Sequence, residues 1–298
     1  MVSQIAVLVV NYHSSSSVAT MLASVLAAEE DLARVVVSLV DNSVDAAEWV
    51  SLEEIVADAR ARGLQVTLTR APENLGFAAG NNRAYAAVAS ASPAAVLLLN
   101  PDCEVTSGSL GSALADVLED EGAAHYAPTR QGGRRLSGVS ELSLVSGRKR
   151  QLPAGQLGAE RPWRVRFPDG HCIALSRELW ERAGGLDERF FLYCEEADLV
   201  LRTQCRLRAL SRLEIDHIGG GTTGGGDAKS DVTYFHGSES VVRLVKTHFG
   251  WSGWLMGVLS GRGALAGQAF LSGHRSGSLA VIQGSIAGMR PSRKARAA

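Results

Sequence analysis

Residues 95–102 read AVLLLNPD: five apolar residues run without alternation into Asn100-Pro101-Asp102. A short apolar run closed by a polar turn suits a strand buried on both faces. Three similar runs precede it, at 5–10, 34–40 and 65–69, each rich in Val, Leu or Ile. Helical patterns fill the gaps between them. Val18, Leu22, Val25 and Leu26 form one stripe after the serines at 14–17, which offer N-caps. Trp49, Leu52, Ile55 and Val56 form a second, with Gly63 where a C-terminal cap belongs. A third helix is expected from about Ala79 through Tyr85 and Val88 to the break at 90–93. Repeated strand–helix–strand order implies right-handed crossovers and a mostly parallel sheet covered by helices.

The strands end in polar residues: Asn11-Tyr12, Asp41-Asn42, the loop opening at Glu73-Asn74, and Asn100-Pro101-Asp102. Ligands of open parallel sheets bind at the carboxyl edge of the strands. Any one of these tips is explained by the preference of Asn and Asp for turns. Four on one edge point to a site.

Composition narrows the class. The 298 residues carry 30 basic and 31 acidic side chains, with 46% hydrophobic residues, as expected of a globular chain without a general nucleic-acid coat. Four dispersed cysteines, Cys103, Cys172, Cys194 and Cys205, fit a reduced, cytoplasmic setting. The first 28 residues lack charge, but their apolar run is short and interrupted by Asn11, His13 and serines, so neither a signal nor a spanning segment is expected.

Residues 128–162 look like a loop, with one weak strand candidate at 142–145. Helices are expected from Arg177 to Gly184-Gly185 and from Glu195-Glu196 through Asp198, Leu199 and Arg202. The glycine-rich stretch 219–226 is expected to be a mobile lid. After Gly250 the texture changes: Trp251, Trp254, Leu255, Val258 and Leu259 follow helical spacing, and glycine pairs recur four apart. From residue 240 onward there are eight Lys or Arg and no acid, ending in Arg290, Arg293, Lys294 and Arg296. This amphipathic extension (251–298) suits an anionic membrane surface; packing on the preceding domain (1–250) is the plainer alternative.

No dinucleotide-binding glycine motif, P-loop, nucleophile elbow or zinc-protease motif is present. An ordered series of other signatures is: VVNY at 9–12, VDNS at 40–43, ENLGFAAGNN at 73–82, LLNPD at 98–102, GGLDE at 184–188, FFLYCEEADL at 190–199 and HIGG at 217–220. The series resembles the family-2 inverting glycosyltransferases of the GT-A fold, in particular their rhamnosyltransferase-like branch. The resemblance implies a Rossmann-like α/β GT-A domain that moves a hexose or deoxyhexose, rhamnose included, from a UDP- or dTDP-linked donor.

By that resemblance Asp41 meets the donor nucleobase, where a carboxylate can accept from a pyrimidine N–H. Asn11, Asn74, Gly76, Gly80 and Asn81 lie along the donor. Asp102 closes the metal motif, whose first position is here Asn100, and His217 is a further ligand for Mg2+ or Mn2+. Glu196 matches the catalytic base, usually an aspartate, with Glu195 and Asp198 expected to raise its pKa. Asp187, Glu188 and Glu195 fall on the acceptor side. The resemblance also implies a glycan or lipid-linked acceptor in polysaccharide biosynthesis, at the inner face of a membrane, and no nucleic acid; a homo-oligomer is left open. The longer glutamate at 196 keeps a rival in play: a catalytically silent nucleotide-sugar-binding or scaffold subunit. A sugar nucleotidyltransferase is disfavoured, since no basic Gly-rich loop follows the first strand.

Overall fold

A computed structural model describes residues 3–155, 159–218 and 230–291. The first hundred residues alternate as β1 (Ile5–Asn11), α1 (Ser15–Ala28), β2 (Val35–Asp41), α2 (Ala46–Ala61), β3 (Gln65–Arg70), α3 (Gly76–Val88) and β4 (Ala95–Leu99). There follow β5 (Cys103–Gly108), α4 (Leu110–Glu119), β6 (Ala123–Tyr126), β7 (Thr129–Gln131), β8 (Arg134–Ser143), β9 (Lys149–Pro153), β10 (Arg164–Pro168) and β11 (Cys172–Ser176). The remaining elements are α5 (Arg177–Ala183), α6 (Glu195–Thr203), β12 (Arg206–Ala209), β13 (Leu213–His217), α7 (Asp231–Phe249), α8 (Gly253–Leu271) and α9 (Arg275–Met289).

The main sheet has the order β12-β6-β11-β4-β1-β2-β3. Strands β1 to β4 are parallel to their neighbours among themselves, and β11 runs antiparallel between β4 and β6. Side chains of β1 alternate between two cores. Ile5, Val7 and Val9 pack with α1, α2 and α4, whereas Ala6 and Leu8 pack with α3 and α5. A strand buried on both faces has no polar positions, which is why its sequence does not alternate.

Three expectations are corrected. First, 128–162 is not a loop: it supplies β7, β8 and β9, half of a second sheet with the order β10-β8-β7-β13-β5 and β9 paired to β8. The strands are hidden in the sequence because β8 buries Ser137, Ser140 and Glu141. Glu141 is compensated by Arg150 at 3.0 Å, Arg166 at 3.4 Å and Arg164. Second, α3 begins at Gly76 rather than Ala79, because a left-handed glycine (φ +76°) turns the chain into it. Third, the apolar stripe after Gly250 faces inward. Leu255 and Val258 are fully buried with Leu142, Phe190 and Val242, and Trp254 and Leu259 pack on that cluster. Trp251 precedes α8 and is exposed.

Some of these glycines serve close packing, whereas Gly263 and Gly267 face open space. A Cβ at Gly284 or Gly288 would strike the carbonyls of Phe235 and Glu239 on α7, and one at Gly257 or Gly261 those of Val145 and Ser146. Among the described residues no helix is long and apolar enough to cross a membrane. All four cysteines are free. The stretch 219–226 and the basic residues Arg293, Lys294 and Arg296 lie outside the described residues.

Candidate active site

Parallel pairing of β1 and β2 sets Asn11 beside Asp41 at the carboxyl edge of the sheet, both fully buried. Asn11 Nδ2 donates to Asp41 Oδ1 at 3.1 Å and to Glu48 Oε1 at 3.0 Å. Asn11 Oδ1 accepts from the Ser14 N–H and hydroxyl. The Ser43 N–H and hydroxyl also donate to Asp41 Oδ1. Every donor converges on one carboxylate oxygen. Asp41 Oδ2 is buried without a partner, a costly state that a ligand N–H would relieve. Asn11 therefore acts as a brace that aims Asp41.

The next loop is pinned from both sides. Asn42 Nδ2 donates to the Gly76 carbonyl at 3.0 Å, and Asn74 Oδ1 accepts from the Gly76 N–H at 3.0 Å. A Cβ at Gly76 would collide with the Phe191 carbonyl, to which the Phe77 N–H donates at 2.8 Å. Gly80 abuts the Val10 side chain and seats α3 on β1. Asn81 is buried and donates to the Phe77 carbonyl at 2.9 Å.

Antiparallel pairing of β5 and β13 puts His217 opposite Cys103, next to Asp102. His217 Nε2 lies 3.3 Å from Asp102 Oδ2. Asp102, Cys103 and His217 bring three ligand atoms within 4.8 Å of one another. Burial, aided by the Asp102 charge, pushes the Cys103 thiol well up, so it stays S–H and donates to the His171 carbonyl. One carboxylate and one imidazole remain, and His217 Nδ1 is buried without a partner. That donor set fits a divalent cation whose other positions are filled by phosphate oxygens or water. The Asn100 N–H donates to the His171 carbonyl at 3.0 Å.

His171 was not anticipated from the sequence. Its ring stacks on His217 with centroids 4.6 Å apart and planes 10° apart. Its Nε2 lies 2.8 Å from Thr129 Oγ1, and burial drives its pKa down to about 4, so the ring is neutral.

Tyr193 (φ 72°) and Cys194 (φ 68°) turn the chain into α6 in consecutive left-handed conformations. Each costs a non-glycine residue about 1–2 kcal/mol. The turn buries the first-turn carboxylates, where helix-starting acids normally face solvent: Glu195 is 1% and Glu196 8% exposed. Burial and the Glu196 charge push the Glu195 carboxyl well above its ordinary value, and Glu195 Oε2 has no partner. Burial therefore favours the protonated form of Glu195.

Glu196 is also raised by burial, opposed by the Lys149 ammonium and reinforced by Asp169. Gly170 packs tightly against it: a Cβ there would collide with the carboxylate. Lys149 Nζ in turn lies 3.3 Å from Asp169 Oδ1. Asp198 does not share this environment; it pairs with Arg202 at 3.0 Å and His248 at 2.8 Å. Burial and Asp169 thus raise the pKa of Glu196 and Lys149 lowers it, while Asp198 is taken up by its own cationic partners. Glu196 lines a cavity of about 1080 Å³ between β8–β9, α6, α7 and α8, beside Lys149, Phe167 and Tyr193.

On the expected acceptor side, Asp187 is taken up by Arg189, whose N–H and guanidinium hold it below the carboxylate range despite burial. Asn82 ties down the same turn: its Nδ2 donates to the Leu186 carbonyl at 2.8 Å and to Glu188 at 3.2 Å, and its Oδ1 accepts from the Leu186 N–H. Asp187 braces the turn. The segment Asp169-Gly170-His171 links the two halves of the site, touching Lys149 and Glu196 through its first two residues and His217 through the third. A Pro-Asp-Gly turn signal at 168–170 was its only mark in the sequence.

The family model of glycosyltransferase-like family 2 matches residues 3–208. No curated protein matches the chain. Among solved structures, GalNAc-T7 with UDP, GalNAc and Mn2+ superposes with a TM-score of 0.59 at 15% identity over 82% of this chain, which covers only 48% of that one. The mannosyltransferase PcManGT from Pyrobaculum calidifontis, in complex with GDP-Man and Mn2+, gives 0.58 at 12% identity, covering 97% of this chain and 88% of that one. TarS 1-349 of S. aureus, in complex with UDP, gives 0.52 at 16% identity over 92% and 72%. At these identities the likeness is one of fold, and the fold is GT-A.

Proposed function

Because the chain belongs to glycosyltransferase-like family 2, we propose that it transfers a hexose or deoxyhexose from a nucleoside diphosphate donor to an acceptor hydroxyl, with inversion. The observation that carries this reading is the Glu196 carboxylate. It is buried, packed against the Gly170 backbone, and lines a large cavity. A carboxylate with a raised pKa and one open side suits removal of an acceptor proton. The absence of a side chain at Gly170 leaves room for the longer glutamate, which favours an enzyme over a silent scaffold.

Asp41 Oδ2 would accept from the N–H of a pyrimidine base, favouring UDP or dTDP donors, rhamnose donors among them. Asp102 and His217 would hold a divalent cation, Mn2+ or Mg2+, which when bound neutralises charge on the leaving diphosphate. UDP in two of the neighbours and Mn2+ in two support this assignment. Asn11 and Glu48 keep the nucleobase carboxylate in place, and Asn74 and Gly76 shape the loop beside it.

A growing glycan or lipid-linked acceptor at the cytoplasmic face of a membrane is the setting we favour. It is supported by the outward faces of α8 and α9, where Met256, Phe270, Leu271, Leu279, Ile282 and Ile286 are exposed and no acid occurs. The donor assignment is tested by thermal shift with a panel of nucleoside diphosphates and their sugars, with and without Mn2+. Stabilisation follows affinity logarithmically. A metal-dependent preference for uridine or thymidine diphosphates is expected; equal shifts with purine nucleotides, or none at all, would remove the assignment.

A further inference from the structure

The large cavity contains a feature that proton abstraction does not use. Arg262, on α8, lines its wall and is only 8% exposed. Its Nη2 donates to the Gly147 carbonyl at 2.6 Å, but its Nε is buried and has no partner. Among the described residues no carboxylate pairs with it; the charged group nearby is the Arg148 guanidinium, which repels it. Burial accordingly pushes the guanidinium pKa down. Ser238, on α7, lines the same cavity, fully buried, with an unpartnered hydroxyl. Arg148 is exposed at the rim and Lys149 half exposed. Among the described residues, Glu196 is the only carboxylate lining the cavity.

A buried cation without a counter-ion is expensive, and so is a buried hydroxyl without a partner. Both costs fall if the bound acceptor brings a compact oxyanion. Arginine is well suited to that partner, because its planar donors match phosphate and carboxylate oxygens. Leu142, Phe167, Val241 and Leu265 give part of the remaining wall an apolar face, while Thr233, Gln268 and His274 add polar groups, a mixture that suits the sugar of the same acceptor.

We infer that the Glu196 cavity takes an acceptor bearing a phosphate or carboxylate group, seated on Arg262 and the Ser238 hydroxyl with Arg148 at the entrance. The inference rests on the reading of this cavity as the acceptor site. It adds the charge of the acceptor, which nothing at the donor side determines.

Calorimetric titration of the full chain, held in saturating UDP and Mn2+, tests it with three probes: octyl phosphate, glucuronate and octyl glucoside. At least one anion should bind the parent more tightly than the neutral glucoside. Its affinity should fall at least about tenfold in Arg262→Met and severalfold in Ser238→Ala, as expected for lost hydrogen bonds to a charged group. Asp102→Ala, titrated without UDP, should keep it. Binding of octyl phosphate identifies a phosphate ester, and binding of glucuronate an acidic sugar. Ser238→Ala only removes an unpartnered hydroxyl, so it carries the test if Arg262→Met does not fold. No anion preference in the parent, equal affinity in the variants, or loss confined to Asp102→Ala would overturn the inference. Octyl glucoside bound alike by parent and variants would leave the acceptor site standing with a neutral ligand; failure of UDP to bind at all would instead count against the donor reading.

Discussion

His171 and His217 lie face to face, their ring centroids 4.6 Å apart. One residue before His171, the bare Cα of Gly170 packs against the Glu196 carboxylate. A single turn between β10 and β11 therefore supports both the candidate metal corner and the candidate base, and the two roles are separable. His171→Ala should loosen His217 and weaken Mn2+-dependent UDP binding by about 10–100-fold, the usual effect of losing a residue that orients a metal ligand. Gly170→Ala should leave that binding intact and lower turnover by about 10²-fold by displacing Glu196. Calorimetry and initial rates on the two variants check the division. Identical defects in both would mean that the turn is merely structural.

The pH dependence of turnover should follow from Lys149. Its ammonium favours the ionised form of Glu196, against burial and Asp169. In Lys149→Met the base has a higher pKa, so the acid limb of kcat against pH should move to higher pH. An acid limb unchanged or moved downward would contradict the electrostatic assignment.

Glu195 should show itself in stability. Its folded pKa lies well above the ordinary 4.5, so the folded protein binds the extra proton. The stabilisation is complete below about pH 4.5 and is lost as pH rises toward the folded pKa. Glu195→Gln removes this titration. The Tm of the variant relative to the parent should therefore rise between pH 5 and pH 8, with little change in the acid limb of turnover. A constant Tm difference across that range would mean that Glu195 is already ionised.

Membrane association should depend on the outer face of α9. Leu279 and Ile282 are exposed on it, while Arg275 and Arg290 flank the helix. Leu279→Asp combined with Ile282→Asp should release the protein from phosphatidylglycerol vesicles in cosedimentation without changing UDP affinity. The surface assignment fails if the double variant still sediments, or if the parent never does.

Much of this architecture could be read before any coordinates. The apolar runs at β1 and β4, and at β2 with Ser38 alone interrupting it, mark strands covered on both faces, and their polar tips mark the edge that holds Asn11, Asp41 and Asp102. The second sheet escaped because Glu141 and two serines occupy buried positions of β8, where pattern reading expects apolar residues. Asp169, Gly170 and His171 escaped because their roles come from contacts with residues far along the chain. The stripe on α8 had the right period but the wrong partner: periodicity identifies an apolar face and is silent on what covers it.

If Glu196 takes the acceptor proton, Glu196→Gln removes that step alone. Glutamine keeps the shape of the side chain but cannot take up a proton. Once the parent turns over a donor and acceptor pair, this variant should bind UDP and Mn2+ as the parent does while kcat falls by about 10²–10⁴. A kcat equal to that of the parent would contradict it.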